Sequence, residues 1–148
     1  VLGEGSLVAS VEEIAWAMYS EGADIVYAAA GLSGSGMFQA AAEASEATGT
    51  KVWGIGVDSD QYLTVDAAVQ EYVLTSMLKR VDVAVYEITK AVTEGTFKAG
   101  ETRYDLSVDG VGYSTSGGFI DDIVPQIEEA KAAIIAGDVV VPTDPTEA

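Results

Sequence analysis

Two acids, Asp58 and Asp60, follow directly after a short apolar stretch at residues 52–57. Carboxylates two positions apart can hold a metal ion, exchange protons with a substrate, or accept hydrogen bonds from the hydroxyl groups of a ligand. The calcium-loop pattern fails because no glycine stands at its sixth position. No nucleophile with a neighbouring base accompanies the two acids. Recognition of a vicinal diol, as in ribose, and the ordinary polarity of a loop therefore both remain open.

A glycine-rich segment, GLSGSG at residues 31–36, lies between another apolar run and an alanine-rich segment. Glycines such as Gly31 let a backbone turn with positive φ and approach a ligand, and a following helix offers free N–H groups. The spacing is not the dinucleotide pattern G-x-G-x-x-G, and no lysine follows as in a P-loop. The segment is predicted to be a backbone cradle for a polar, uncharged ligand or an ordinary tight turn.

Two of the seven basic residues, Lys79 and Arg80, end the segment TSMLKR at residues 75–80. The segment is expected to open a helix, capped by its threonine or serine, with both cations in the first turn. Cations there oppose the helix dipole by about 0.3–1 kcal/mol each, so an acceptor is expected beside them. The candidates are Asp58, Asp60, Asp82 and a ligand, and a simple surface ion pair is the alternative.

The composition excludes several classes of protein. Acids outnumber bases by 24 to 7, and a net charge of −17 disfavours binding to nucleic acid or to an anionic membrane. The chain has no cysteine and no histidine, which removes thiol and imidazole nucleophiles and the zinc sites built from those residues. No apolar run reaches the roughly 18 residues of a membrane span. We predict no enzymatic activity, no cofactor and no metal.

Helical and strand patterns alternate along the chain, which predicts an α/β fold with a doubly wound, mostly parallel sheet. Ligands bind such sheets at the carboxyl ends of the strands, where the glycine segment and the two acids lie. The predicted strands cover residues 23–30, buried on both faces, then 52–57, 72–75 and 139–141. The predicted helices begin at a capping box at residues 10–13, at Met37, near Arg80 and near Pro125, and glycines end them; a hairpin is expected around Asp109 and Gly110.

The chain resembles the basic membrane protein family along nearly its whole length. The segments that carry the resemblance, in the family's order and with similar spacing, are GADIVYAAAGLSGSGMFQAA, VWGIGVDSDQY, VLTSMLKRVDVAVYEI, GVGYS and IIAGDVVVPT. Members are substrate-binding lipoproteins of ABC importers, and the best-understood ones are purine nucleoside receptors. The resemblance implies one lobe of a type I periplasmic-binding-protein fold and an extracytoplasmic, cell-surface or periplasmic location.

The resemblance also implies roles for individual residues. Asp58 would accept hydrogen bonds from ribose hydroxyls, with Asp60 as a further candidate, and Lys79 would donate to the ligand. Gly31 would line the interlobe cleft with backbone. The segment Gly5-Ser6-Leu7 is similar to a family stretch that usually reads Gly-Ser-Phe, whose ring stacks on the base. Ser6 and Leu7 are therefore candidate ligand contacts, and leucine replaces the stacking ring.

Family members are roughly twice as long, so the resemblance implies that residues 1–141 form a carboxyl-terminal lobe and that 142–148 are a polar tail. The helix after Lys79 would then pack on an amino-terminal lobe, supplied by the same protein or by a second chain. The expected function is that of the solute-binding component of an ABC transporter, with permease subunits as partners and a nucleoside-like ligand. The alternative is a ligand-sensing or enzymatic doubly wound domain of unknown substrate.

Overall fold

The computed structural model describes residues 4–142 as four strands and four main helices. In chain order these are α1 (Glu4–Ser20), β1 (Ile25–Tyr27), α2 (Ser35–Thr48), β2 (Trp53–Asp58), β3 (Val73–Lys79), α3 (Val81–Thr93), β4 (Val111–Tyr113) and α4 (Val124–Ala136). Short 3₁₀ turns cover Gly31–Gly34, Gln61–Leu63, Gln70–Tyr72 and Leu106–Val108. The predicted α/β class is confirmed. Among these helices, none combines the length and the apolar character that crossing a membrane requires.

The four strands form one sheet in the order β1-β2-β3-β4. Strands β1, β2 and β3 are parallel, and β4 runs antiparallel to β3. This confirms the prediction of a mostly parallel sheet. The register places Asp58 opposite Leu78, so the carboxyl ends of β2 and β3 stop at the same edge of the sheet.

The core lies between α1, α2 and one face of the sheet. Its largest fully buried apolar side chains include Phe38 and Met37 of α2 and Val73 of β3. The two helices approach closely at Gly36, where an added Cβ would lie 2.2 Å from the carbonyl oxygen of Val8. Small residues on α2 therefore decide how tightly the helix layer packs.

Strand β1 is shorter and less buried than expected. Only Val26 is buried, while Ile25 and Tyr27 on its other face stay exposed. The prediction of a strand buried on both faces is therefore wrong for this part of the structure. The reason is that β1 is an edge strand, and α1 and α2 cover it from one side only.

The predicted start of the first helix is also wrong. Helix α1 begins at Glu4, so Ser10 lies inside it, and its hydroxyl donates to the carbonyl oxygen of Ser6. A serine within a helix can bond back in this way to the preceding turn, which competes with a capping role. The ends of other helices agree with prediction: Gly49 and Gly137 adopt left-handed conformations at the ends of α2 and α4.

The segment TSMLKR is a strand and not the start of a helix. Its residues 75–79 lie in β3, which pairs with β2 on one side and β4 on the other, and Arg80 is the N-cap of α3, which begins at Val81. The expected helix-dipole conflict at Lys79 is therefore wrong, because Lys79 is the last residue of the strand. Pairing on both sides overrode a local pattern that suited a helix cap.

Two further expectations near the C-terminus are wrong. The hairpin around Asp109 does not form: Leu106–Val108 is a 3₁₀ turn, and Val111–Tyr113 pairs with β3 instead. Residues 139–141 are not a strand in the described structure, which gives them no partner in the sheet. The hairpin prediction failed because Val111–Tyr113 pairs with the distant strand β3 and not with the segment just before it.

Helix α3 is amphipathic, as its spacing predicts, but its apolar side chains are not covered by the described residues. Their exposed fractions lie between 44% and 63% at Val81, Val85, Ile88 and Val92. Side chains of this kind are normally buried in folded proteins. The helix therefore presents an uncovered apolar face.

Candidate functional site

The ends of β2 and β3 bring two oppositely charged side chains together. Nζ of Lys79 lies 2.6 Å from Oδ1 of Asp58, and both side chains remain substantially exposed to solvent. Asp58, as a hydrogen-bond acceptor and then as a charge, raises the pKa of Lys79 above its ordinary value. Water screens such an exposed pair, so the contact contributes little to stability. The pair is instead available to a ligand that offers both donors and acceptors.

The backbone at Asp58 is unusual. Its φ is +72°, and the only other non-glycine residue with positive φ in the described part of the chain is Asp109. Aspartate tolerates this left-handed region better than most residues, but the conformation still costs free energy. Such a conformation at a strand end changes the direction of the chain immediately after the carboxylate. Strained backbone of this kind is often found at functional sites.

Gly31 lies beside the same carboxylate. Its φ is +55°, and a Cβ added to it would lie 3.7 Å from Oδ2 of Asp58. The glycine segment thus begins at the sheet edge where β2 ends, and its 3₁₀ turn runs directly into α2. Gly31 therefore places backbone beside the carboxylate, and its predicted contact with a ligand stays a prediction.

A cavity of about 190 Å³ opens where these groups meet. Asp58, Lys79 and Gly31 form its polar part. Its remaining walls are Tyr27, Ala29, Val57 and Met77. The cavity is smaller than the roughly 300–1,000 Å³ of a complete small-molecule site, so it is large enough for only part of a ligand.

A larger cavity, of about 540 Å³, lies between β3, β4 and α4. Its walls are mainly apolar, and several charged or polar groups around it are already paired. Nζ of Lys131 lies 2.9 Å from Oδ1 of Asp109, and the Tyr113 hydroxyl donates to Glu128 over 2.6 Å. Because these groups satisfy one another, they offer little to orient a polar ligand. The Asp58 cavity is the better candidate site.

The structure does not bring the other predicted site residues to this cavity. The Asp60 carboxylate accepts a hydrogen bond from the Ser116 hydroxyl, and its Oδ1 is buried with no hydrogen-bond partner among the described residues. Ser6 and Leu7 lie in the first turns of α1 and do not line the cavity. Their predicted ligand contacts stay predictions.

Sequence reasoning missed several residues around the site. Tyr27 and Met77 line the cavity, and neither has a motif that marks it. Gln61 and Ser76 are buried polar residues behind it. A signal for Ser76 existed, since a serine in a strand rich in apolar residues needs a hydrogen-bond partner when it is buried. Across residues 4–142, no group of three or more acidic, histidine or cysteine side chains has an arrangement that could hold a metal ion.

Comparison with known proteins places the chain in a family. The family model described as "ABC transporter substrate-binding protein PnrA-like" matches residues 8–145. The chain belongs to this family. The predicted resemblance is thereby confirmed, since relatives in the family carry the name basic membrane protein or BmpA.

Individual relatives agree with this assignment. The chain is 37% identical over 142 residues to the CD4+ T-cell-stimulating antigen of Listeria monocytogenes, which covers 90% of this chain and 40% of that protein. It is 35% identical to the ABC transporter nucleoside-binding protein BmpA of Lactococcus lactis, covering 95% of this chain and 42% of that protein. An uncharacterized lipoprotein of Pyrococcus abyssi is 38% identical over 96 residues, covering 65% of this chain and 23% of that protein.

A solved structure shows the same fold. The crystal structure of an ABC transporter solute-binding protein from Aeropyrum pernix superposes with a TM-score of 0.67 at 28% identity. The match covers 92% of this chain and 45% of that protein. The chain therefore spans less than half the length of the relatives it matches. Its relatives include binding proteins of ABC transporters.

Proposed function

We propose that this chain forms one wall of the ligand site of an ABC-transporter solute-binding protein and that the ligand is nucleoside-like. The observation that carries the proposal is the pair formed by Asp58 and Lys79 at the strand ends. The pair offers an exposed anionic acceptor and a cationic donor at the mouth of a partly apolar cavity. Family membership and the name of the Lactococcus relative agree with this choice of ligand.

The chemistry of the pair suits a ribose. Oδ1 of Asp58 is buried and faces Lys79, so the diol would be recognised through Oδ2, whose lone pairs can accept from both hydroxyls. Lys79 can donate a hydrogen bond to an acceptor on the ligand. Hydrogen bonds to charged groups contribute roughly 1.5–3 kcal/mol each, more than bonds between neutral groups. Asp58 and Lys79 together therefore supply both an acceptor and a donor for the ligand.

The partly apolar walls suit the rest of such a ligand. Val57 and Met77 provide apolar surface beside the carboxylate, and the ring of Tyr27 stands at the same cavity. Apolar walls with a few placed polar groups are typical of small-molecule sites. In this proposal a second lobe covers the open side, and closure of the two lobes excludes water from the ligand.

Transport and location follow from the same proposal. We expect an extracytoplasmic protein that delivers its ligand to permease subunits of an ABC importer, since one relative is named as a lipoprotein and another as a transporter binding protein. The ligand leaves unchanged, because the site offers a hydrogen-bonding pair without a nucleophile and its base. The proposed role is binding and not catalysis.

A comparison of ligands with and without the ribose diol tests the proposal. The chain is titrated with inosine and with 2′,3′-dideoxyinosine, which lacks the diol, using calorimetry or NMR shift changes. We expect inosine to bind at least tenfold tighter, since a charged acceptor would lose two donors. Equal affinity for the two nucleosides would refute recognition of the diol by Asp58. Chromatography of the recovered inosine checks that no turnover occurs.

A further inference from the structure

A chain of buried polar groups lies directly behind the Asp58 pair. Oε1 of Gln61 accepts a hydrogen bond from the backbone N–H of Val57 over 2.9 Å. The backbone N–H of Gln61 donates in turn to Oγ of Ser76 over 3.1 Å. Only 7% of Gln61 and none of Ser76 is exposed. Buried polar groups that satisfy one another in this way fix the geometry around them.

These hydrogen bonds enclose the turn at Asp58. Val57 precedes Asp58 and Gln61 follows it by three residues, so the Gln61 side chain closes a loop around the left-handed backbone of Asp58. A conformation that costs free energy persists only where its surroundings hold it. Gln61 and Ser76 provide such a hold from the buried side of the sheet.

The absence of a side chain at residue 56 leaves space for the Gln61 side chain. Gly56 lies beneath it, and a Cβ added there would lie 2.3 Å from Oε1 of Gln61 and 2.8 Å from Oγ of Ser76. Such distances cannot be accommodated without moving the amide. The glycine of the motif GVDSDQ is thus matched to the glutamine of the same motif.

The network continues to Ser114, the residue that follows β4. The backbone N–H of Ser76 donates to Oγ of Ser114 over 3.1 Å, and the N–H of Ser114 donates to the carbonyl oxygen of Ser76 over 3.0 Å. The Thr75 hydroxyl donates to the carbonyl oxygen of Ser114 over 2.7 Å. Side chains as well as the sheet therefore hold the end of β2 and the middle of β3 to the residue that follows β4.

We propose that Gln61, supported by Ser76, is the positioning residue of the ligand site: it holds the turn that sets the Asp58 carboxylate against Lys79. Gln61 is not expected to touch the ligand. The expected effect of Gln61 on ligand binding rests on the proposed function, whereas its effect on the contact between Asp58 and Lys79 does not. The two parts can therefore fail separately.

The first test removes the acceptor while keeping the shape. Gln61→Met leaves the Val57 N–H without its partner. Tyr19→Phe is the control, because it removes a different, partly buried hydrogen bond, from the Tyr19 hydroxyl to the carbonyl oxygen of Trp53. The pKa of Lys79 is followed by NMR in all variants, with Lys79→Met identifying its signal. We expect the elevation of this pKa to disappear in Gln61→Met and to persist in Tyr19→Phe. Loss in both variants, or in neither, would overturn the positioning role.

The second test displaces the amide without altering it. Gly56→Ala pushes on Gln61, whereas the control Gly54→Ala, on the same strand and face, pushes on Met37 and Phe38 at distances of 2.7–2.8 Å. Both variants are expected to lose stability, but only Gly56→Ala should alter the Lys79 titration. If Gln61→Met does not fold, the comparison of Gly56→Ala with Gly54→Ala still tests the positioning role of Gln61. An unaltered titration in folded Gly56→Ala contradicts the proposal.

Inosine titration then separates the two proposals. We expect Gln61→Met and Gly56→Ala to weaken inosine binding about tenfold, as displacement of a charged acceptor implies. Absence of inosine binding in the parent chain would refute the proposed function, and the Lys79 titration would still decide the role of Gln61. Unchanged inosine affinity in variants whose Lys79 titration has altered would refute the link between positioning and binding.

Discussion

Replacement of Asp58 by asparagine separates a ligand-binding role from a structural one. Asn keeps the size and shape of the side chain and is tolerated in the left-handed region, so the backbone at φ +72° can persist. The change removes the negative charge that faces Lys79 across 2.6 Å. Because both side chains are largely exposed, the fold should lose little, and the melting temperature should stay within about 2 °C.

The effect on a ligand should be much larger. A charged acceptor that faces two hydroxyls contributes roughly 1.5–3 kcal/mol, which corresponds to about a ten- to hundredfold change in affinity. Calorimetry with inosine measures the loss directly. The pKa of Lys79 should also fall toward its ordinary value, since Asp58 is the main cause of its elevation.

Asp82→Asn is the matched control for this experiment. It breaks an exposed ion pair with Arg80, in which the charged atoms lie 2.8 Å apart, and it lies outside the candidate cavity. Inosine affinity should be unchanged in this variant. If Asp58→Asn binds inosine as tightly as the parent, or if both variants lose affinity equally, Asp58 is an ordinary loop acid and the reasoning is refuted.

Three further predictions concern metal, affinity and pH. Addition of a chelator should leave the melting temperature unchanged, and a fall of several degrees would reveal a metal site. The chain alone should bind nucleosides weakly, with a Kd of about 0.1–1 mM, and a separately supplied amino-terminal lobe of a relative should tighten binding; micromolar binding by the monomer would contradict the single-wall interpretation. The pKa values of Asp82, Asp105 and Asp109 lie below 3.8 because Arg80, Ser107 and Lys131 respectively hydrogen-bond to them, so their contribution to stability is present above pH 3.8 and is lost as the pH falls through the lowered values. Urea unfolding followed from pH 6 to about 2.5 checks this, and Lys131→Met should reduce the decline.

The uncovered face of α3 is consistent with the family assignment. Val81, Val85, Ile88 and Val92 are apolar and exposed, and the chain spans about two fifths of the length of its curated relatives. The prediction that this helix packs on an amino-terminal lobe concerns the part of the relatives that this chain does not match. Protection of α3 amides from hydrogen exchange on addition of such a lobe would detect this packing.

The sequence alone determined the features that depend on local pattern. An apolar run followed by acids predicted β2 at residues 52–57, within one residue at each end of the observed Trp53–Asp58, and the spacing of apolar residues predicted α3. Left-handed glycines ended α2 and α4 where expected, because few other residues adopt that conformation readily. The motifs GVDSDQ and VLTSMLKR, which resemble the family, also led to Asp58 and Lys79 as candidate ligand contacts.

Only the tertiary structure decided how the site is assembled. Lys79 faces Asp58 because β3 pairs with β2 in one register, whereas the local sequence of TSMLKR predicted a helix cap. Gln61, Ser76 and Ser114 form one network although up to 53 residues separate them in sequence, and no local pattern encodes such contacts. The physical reason is that propensity and spacing act over a few residues, while strand pairing and the burial of polar groups depend on which distant segments meet.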